Sequence, residues 1–344
     1  MRKFSLAIAW NWEYDDDFVA LIRAEAAELG LRTCVVTPRN LKATLSALSK
    51  DQLEVDVLFD RASDADDDFI PLVKNFERQG VHVFNVHEFV EHACDKATMH
   101  LELLSVGLNL PYTIIITPYN VEKEPALTLS SLEHLGRPFI IKPANTTGGG
   151  IGVVMGAESL KEVFHARQHN KDDKYLLQET IIPATIEGKR AWFRVIYAFG
   201  EVMLCWWDDR THLYQVVTRD EEKRYGLGEL RKIIETIRSV CKLDFFSSEI
   251  ALTAPCEIAI TAEGKYVVID YVNEICDMRL QSRHVDGVPD AIVERIAQLI
   301  ASTAAAKSAE RNPVQQSKEH LVKLKALKQE PGPKRRTNLS AKAG

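Results

Sequence analysis

The 344-residue chain has no run of about 18 apolar residues, the length a bilayer crossing needs, which excludes a membrane-spanning helix. Its first residues, MRKFSLAIAWNWEYDDD, hold an apolar stretch too short to span and no small-residue cleavage site. FSLAIAW is therefore expected to be a first β-strand rather than a leader. Cysteine is scattered: Cys34, Cys94, Cys205, Cys241, Cys256 and Cys276 include no CxxC pair. That pattern offers neither a disulfide framework nor a zinc site, and a reducing, cytoplasmic setting is expected. No GxSxG occurs, and no cysteine carries a signature of nucleophilic catalysis. His87, Glu88 and His92 come near a zinc-protease helix, but the HExxxH spacing does not set the histidines i, i+4 as that chemistry requires. No internal repeat is visible. With 46% hydrophobic and 27% charged residues the composition is ordinary for a globular protein, so length sets the expectation of two or three compact units.

The net charge of -6 conceals an asymmetry. Between Ala304 and Gly344 ten Lys or Arg face three Glu, while the rest of the chain is acidic. This tail is rich in Lys, Gln, Ser and Pro and poor in aromatics, so a solvated, disordered end is expected. Nucleic acid is not expected as a partner, because no aromatic residues interleave the tail's charges.

What is present concentrates in PFIIKPANTTGGGIG, Pro138 to Gly152. Phe139, Ile140 and Ile141 are β-formers, Lys142 sets a point charge at the strand end, and Gly148, Gly149 and Gly150 let backbone N–H groups approach an anion. A P-loop is excluded, because its lysine follows the glycines at a helix start, whereas Ile151, Val153 and Val154 read as a second strand. Strand, cation and flexible loop suit a polyphosphate; taken alone, the stretch also fits a loose hairpin with a surface lysine.

Around it the elements fall in order. Up to Val86, strands SLAIAW, TCVVT, VDVLFD and VHVFN alternate with helices over 16–29, 41–48 and 69–79, which predicts a small parallel βαβ sheet. A helix is expected over 86–107, then one near 160–169 and the strand YLLQETII. Strands WFRVIYAF, EVMLCWW, EIALT and KYVVIDYV come next, with helices near 228–241 and 289–300.

Four separated patterns now stand in one succession: Asp95 and Lys96 opening a helix that ends in GLNLP, the FIIKP lysine with its glycines, LLQETII, and an acidic residue before a strand ending in IDYVNE. From about Ser5 to Ile300 this succession resembles the ATP-grasp superfamily, and within it the carboxylate–amine ligases typified by D-alanine–D-alanine ligase, glutathione synthetase and the ribosomal-protein glutamate ligases. The resemblance implies an α/β ATP-grasp fold with an N-terminal parallel βαβ domain. It places domains at 1–110, 111–185 with the glycine-rich lid, and 186–303 with the metal site, before a tail at 304–344. Lys96 and Lys142 would neutralise phosphate oxygens as point charges. The Gln178–Glu179–Thr180–Ile181 strand would offer backbone groups to the adenine edge, with Ile140 against the ring, and Glu187 would contact the ribose. Arg194 takes the place of an arginine that touches substrate or transferred phosphate, although Trp192 and Phe193 flank it where relatives are often polar.

For the metal, magnesium or alternatively manganese, the resemblance selects Glu249, Asp270 and Asn273, and hard oxygen donors suit such an ion. Asp270 and Asn273 are three apart and would face opposite ways unless the strand bulges; otherwise Glu274 takes part. SEIALT and CEIAIT duplicate the acidic cue. If AEGK is a tight hairpin turn, Glu257 rather than Glu249 lies opposite Asp270. Beyond Asn273, Arg279 and Arg283 could clamp a substrate carboxylate or merely hold a surface turn. Asn11, Trp12, Glu13 and Tyr14, after the first strand, are candidate substrate contacts.

The implied activity is ATP-dependent ligation of a small-molecule carboxylate to an amine through an acylphosphate, with no protein nucleophile. An ATP-grasp kinase or a non-catalytic nucleotide-binding regulator fits the same motifs. Related ligases are often dimers, which leaves both monomer and homodimer open, and no membrane partner is expected.

Overall fold

The computed structural model describes residues 1–145, 150–254 and 264–311. Its first sheet is parallel, with β1 (Arg2–Trp10), β2 (Thr33–Val36), β3 (Leu53–Arg61) and β4 (His82–Phe84) in the order β2-β1-β3-β4. Helices α1 (Asp16–Glu28), α2 (Leu41–Ser49) and α3 (Ile70–Arg78) make the crossovers expected of βαβ units. The alternation of side chains along β1 divides its contacts. Leu6 and Ile8 join Phe18, Val19 and Ile22 of α1, while Ala7 and Ala9 face Leu41, Leu48, Leu72 and Phe76 of α2 and α3. A sheet covered on both faces needs apolar residues at successive positions, which is why FSLAIAW carries no polar alternation beyond Ser5.

The expected helix over 86–107 is two helices, α4 (His87–Cys94) and α5 (Lys96–Ser105). Asp95 between them is extended, and its carboxylate accepts from the amides of Ala97 at 3.0 Å and Thr98 at 3.2 Å. A capping carboxylate competes with helix continuation, so it ends one helix and starts the next with Lys96 at its first position. Both helices pack into the core of the last sheet, with Ala93, Ala97, Met99 and Leu103 against Ile233, Ile234 and Ile237. The expected boundary at residue 110 therefore does not separate them from the core of the third sheet.

The second sheet is antiparallel, with β5 (Thr113–Ile116), β6 (Phe139–Pro143), β7 (Val154–Ala157) and β8 (Tyr175–Glu179) ordered β5-β8-β6-β7, and α6 (Leu129–Leu135) and α7 (Leu160–Ala166) pack on it. Strand β7 starts at Val154, later than expected, because Gly150 and Gly152 turn the chain at φ 77° and 76°. At Gly152 a side chain would also stand 3.0 Å from the His169 ring. A short hairpin, β9 (Thr185–Ile186) and β10 (Lys189–Arg190), leads into the third sheet. That sheet holds β11 (Trp192–Ala198), β12 (Glu201–Trp207), β13 (Tyr214–Val216), β14 (Phe245–Leu252) and β15 (Tyr266–Asn273) in the antiparallel order β13-β12-β11-β14-β15. Helix α8 (Arg219–Arg224) opens on a Thr218–Glu221 capping box, and α9 (Glu229–Cys241) covers the sheet.

The last helix, α10 (Asp290–Arg311), returns to the first sheet, packing Ile292, Val293, Ile296 and Ile300 against Leu6, Ile8, Val57 and Phe59. It runs past both the expected end at Ile300 and the tail boundary at Ala304. Ala304 is buried, Ser308 Oγ donates to Asp56 Oδ2 at 2.7 Å, and Arg311 donates to the carbonyls of Val55 and Gln79. The tail beyond Arg311 lies outside the described residues. No helix among the described residues is long and apolar enough to cross a membrane.

Candidate functional site

Residues paired across antiparallel strands project to the same sheet face. Arg194 on β11 pairs with Glu249 on β14, and Glu249 pairs with Asp270 on β15, so one row crosses three strands. Ser247 pairs with Asn273, which means that two steps along β14 match three along β15. The strand bulges, and the bulge returns Asn273 to the face of Asp270. Lys265, the last residue of AEGK, pairs instead with Thr253, whose N donates to Lys265 O at 2.9 Å; Ala262 and Glu263 lie outside the described residues. Glu249 therefore occupies the position opposite Asp270 that the simple hairpin gave to Glu257, which lies outside the described residues.

The row is held in a half-buried, charged setting. Arg194 Nη2 lies 2.9 Å from Glu249 Oε1, and Trp192 Nε1 donates to Oε2 at 3.2 Å. Burial raises the Glu249 carboxyl above its usual range, and the Asp270 charge adds to this against the pull of Arg194. Burial alone would lower Arg194, but the charge of Glu249, together with Tyr214, Asp270 and Cys276, outweighs it and the guanidinium is raised. Arg194 sits 4.9 Å from the Trp207 ring centroid, and its Nε and Nη1 are buried without a hydrogen-bond partner. Two unmatched buried N–H groups beside a carboxylate row suit an oxyanion.

Lys142 reaches this row from β6. It is 7% exposed, donates to the Ile269 carbonyl at 3.3 Å and lies 5.3 Å from the Tyr271 ring centroid. Burial lowers its pKa to about 8, with Asp270 and Glu249 opposing that shift and Lys96 reinforcing it. Lys96, Asp270 and Glu249 are thus all within electrostatic reach of Lys142. The Lys96 amide donates to the Ala144 carbonyl at 3.2 Å, which ties the start of α5 to the end of β6. Lys174 pairs with the capping Asp95, and Asn145 donates through its amide and Nδ2 to Asp173 at 2.8 and 2.7 Å, so the entry to the glycine loop is anchored. Gly150 flanks this loop at positive φ; Gly148 and Gly149 lie outside the described residues.

The donor set fits a hard divalent cation. Glu249, Asp270 and Asn273 offer two carboxylates and an amide on one face, a partial shell of the kind that phosphate oxygens and water complete around magnesium. Among the described residues no group of three His, Cys, Asp or Glu gathers to hold a metal by itself. Glu274 stands apart from the set, with the Cys94 thiol and Asp64. Burial, together with Glu274 and Asp60, raises Asp64 to about 6.

Other expected residues are placed differently. Gln178 lies in the middle strand β8, paired with Thr113 and Ile140, so its backbone is committed to the sheet; Glu179 is bound to Tyr112 through its amide and its carboxylate. Thr180 and Ile181 follow the strand, and Ile181 packs on the Trp192 and Trp207 cluster. Glu187 and Gly188 form the β9–β10 turn at φ 48° and 81°, and Glu187 pairs with Arg224 in solvent. The fork of Arg279 is engaged by Asp277 and Asp286, which braces its own loop. Arg283 pairs with Asp17, and Tyr14 meets Trp12 and His284, so the loop after β1 and the segment after β15 face each other. Asp15, buried in that loop, grips Arg61 at 2.7 Å, and Arg61 also donates to the Cys276 carbonyl. Sequence reading missed Asp15, Arg61, Tyr271 and His100, because each is joined to its partner only by the fold.

No protein-family model matches the sequence, and no curated protein matches it. Solved structures do match. D-alanine–D-alanine ligase from Bacillus anthracis, complexed with ATP, superposes with a TM-score of 0.58 at 14% identity, covering 90% of this chain and 99% of its own. A RimK domain ATP-grasp protein from Sphaerobacter thermophilus gives 0.58 at 18% identity, covering 86% and 98%. The ATP-grasp ligase PsnB, complexed with a phosphomimetic precursor variant, Mg and ADP, gives 0.58 at 12% identity, covering 87% and 98%. One parallel sheet followed by two antiparallel sheets, matched over nearly the whole described length, establishes that this chain has the α/β ATP-grasp fold.

Proposed function

We propose that the chain is an ATP-dependent carboxylate–amine ligase, with Mg-ATP held between the second and third sheets. The observation that supports this best is the meeting of Lys142 and Lys96 with the row Arg194, Glu249 and Asp270. Glu249, Asp270 and Asn273 would hold magnesium, which when bound supplies charge neutralisation between the nucleotide phosphates. Lys142 and Lys96 would take the phosphate oxygens, and the unmatched Nε and Nη1 of Arg194 would take the transferred phosphoryl group or the substrate carboxylate. The γ-phosphoryl bond to ADP breaks as a bond to a carboxylate oxygen forms. The amine then attacks the acyl carbon, phosphate leaves and the amine loses a proton. The segment around Gly150 would keep water from the acylphosphate. The domains at 111–185 and 186–303 remain the proposed ATP-binding halves, with the substrate under the loop 11–14. Because PsnB is described with a precursor peptide, peptides join amino acids and small carboxylic acids as proposed substrates.

The test is ADP release with magnesium across pairs of such carboxylates and amines, with products identified by mass. An amide product with stoichiometric ADP is the expected result. A stable phosphate ester, or ADP release that no pair stimulates, would overturn the ligase reading.

A further inference from the structure

Lys142 leans on a residue that the proposed chemistry does not use. Its ammonium lies 5.3 Å from the centroid of Tyr271, whose ring is pinned by its hydroxyl. Tyr271 Oη stands 2.6 Å from His100 Nδ1 and accepts from Gln178 Nε2 at 3.0 Å; Gln178 also donates to Thr113 Oγ1 at 3.1 Å. His100, Gln178 and Tyr271 are 4%, 1% and 1% exposed. Burial and the nearby Lys142 charge lower His100 to about 4, so a neutral imidazole accepts the phenol proton. Every member of this buried chain is satisfied by another, the condition under which such a network rigidifies its surroundings rather than weakening them.

The network joins four elements, β5, α5, β8 and β15. Helix α5 begins at Lys96, so the hydroxyl that fixes the platform of Lys142 is bound to a residue one turn further along the helix that carries the other lysine. We infer that Tyr271 is a positioning residue that, through its ring and its bond to His100, fixes the placement of Lys142 relative to Lys96 and thereby the preference for a triphosphate over a monophosphate nucleotide. The inference rests on the ligase reading only in that it needs a nucleotide at this site.

The test compares affinity for a non-hydrolysable ATP analogue with magnesium and for AMP, in wild type, Tyr271→Leu and Tyr271→Phe, alongside melting temperatures. Loss of the ring should reduce the preference for the triphosphate about tenfold in Tyr271→Leu, with AMP affinity unchanged. Tyr271→Phe keeps the ring but releases it, and should reduce the preference roughly threefold. Wild-type preference in a folded Tyr271→Leu protein overturns the inference, as does equal weakening for both nucleotides, which is what a purely structural role gives. If Tyr271→Leu does not fold, Tyr271→Phe decides alone: reduced preference supports the inference and wild-type preference overturns it. A wild-type protein that binds neither nucleotide refutes the ligase reading and this inference together, whereas binding without an effect of Tyr271 refutes only the inference.

Discussion

At the scale of single residues, Lys142 is legible in sequence because its meaning is local: three β-formers deliver it to the end of a strand, and glycines come after it. What makes it chemically distinctive is not local. Burial and Lys96 lower its pKa to about 8, although Asp270 and Glu249 hold the charge on. The sign of the consequence is fixed. Below about pH 8 the lysine of the unliganded protein is charged and grips phosphate; above it, binding must draw a proton from solvent, and apparent affinity falls by up to about tenfold per pH unit. Titration of a fluorescent ATP analogue between about pH 6.5 and 9.5 should show this fall in wild type. Lys142→Arg, whose charge does not titrate in this range, should bind with a flatter profile. A wild-type profile that stays flat across the whole range would sink the assignment. His100 and Tyr271 were invisible from sequence for the complementary reason: they lie far apart in the chain, and neither has a pattern around it that calls for the other.

At the scale of elements, the decisive feature is a bulge. The spacing of Asp270 and Asn273 posed the question of how both could face one ion, and the register of β14 against β15 answers it with an extra residue on β15. The partner of Asp270 was less legible, because CEIAIT repeats SEIALT and AEGK has the composition of a turn; only the pairing of Thr253 with Lys265 decides for Glu249. The single helix expected over 86–107 failed for a related reason. A hydrophobic period carries through Asp95, but the carboxylate of Asp95 binds the backbone instead. The register yields a prediction: Glu249→Gln and Asp270→Asn should each weaken Mg-ATP binding by about tenfold or more, equivalent to about 1.4 kcal/mol, and leave binding of metal-free ATP within about twofold. Glu257→Gln should leave both unchanged. Calorimetric titration with and without EDTA checks this, and a larger effect at Glu257 than at Glu249 would reverse the assignment.

At the scale of the whole molecule, the βαβ alternation made the first sheet readable, but not how the chain closes on it. Helix α10 packs with α1 on the same face of β1 and β3, so the last described element belongs to the first core. Composition hid this: the alanines, lysine and serine from Ala304 onward resemble the basic tail that comes after them, yet alanine is also the best helix former, and Ala304 is fully buried. The end of the helix also serves a buried charge. Asp56 is 2% exposed, its Oδ2 accepts from Ser308, and its Oδ1 has no hydrogen-bond partner and lies 3.8 Å from Lys3. A buried carboxylate deprived of its remaining hydrogen bond carries an uncompensated desolvation cost. Truncation after Thr303 removes that bond and both Arg311 bonds to the carbonyls of Val55 and Gln79, and should cost about 2–4 kcal/mol. Ser308→Ala alone should account for about 1–2 kcal/mol of this. Truncation after Arg311 keeps all three bonds and should cost less than about 0.5 kcal/mol. Urea unfolding of the three variants orders them. Equal stability of the two truncations would show that the end of α10 contributes nothing to the first core, and that the charge of Asp56 is balanced by Lys3 alone.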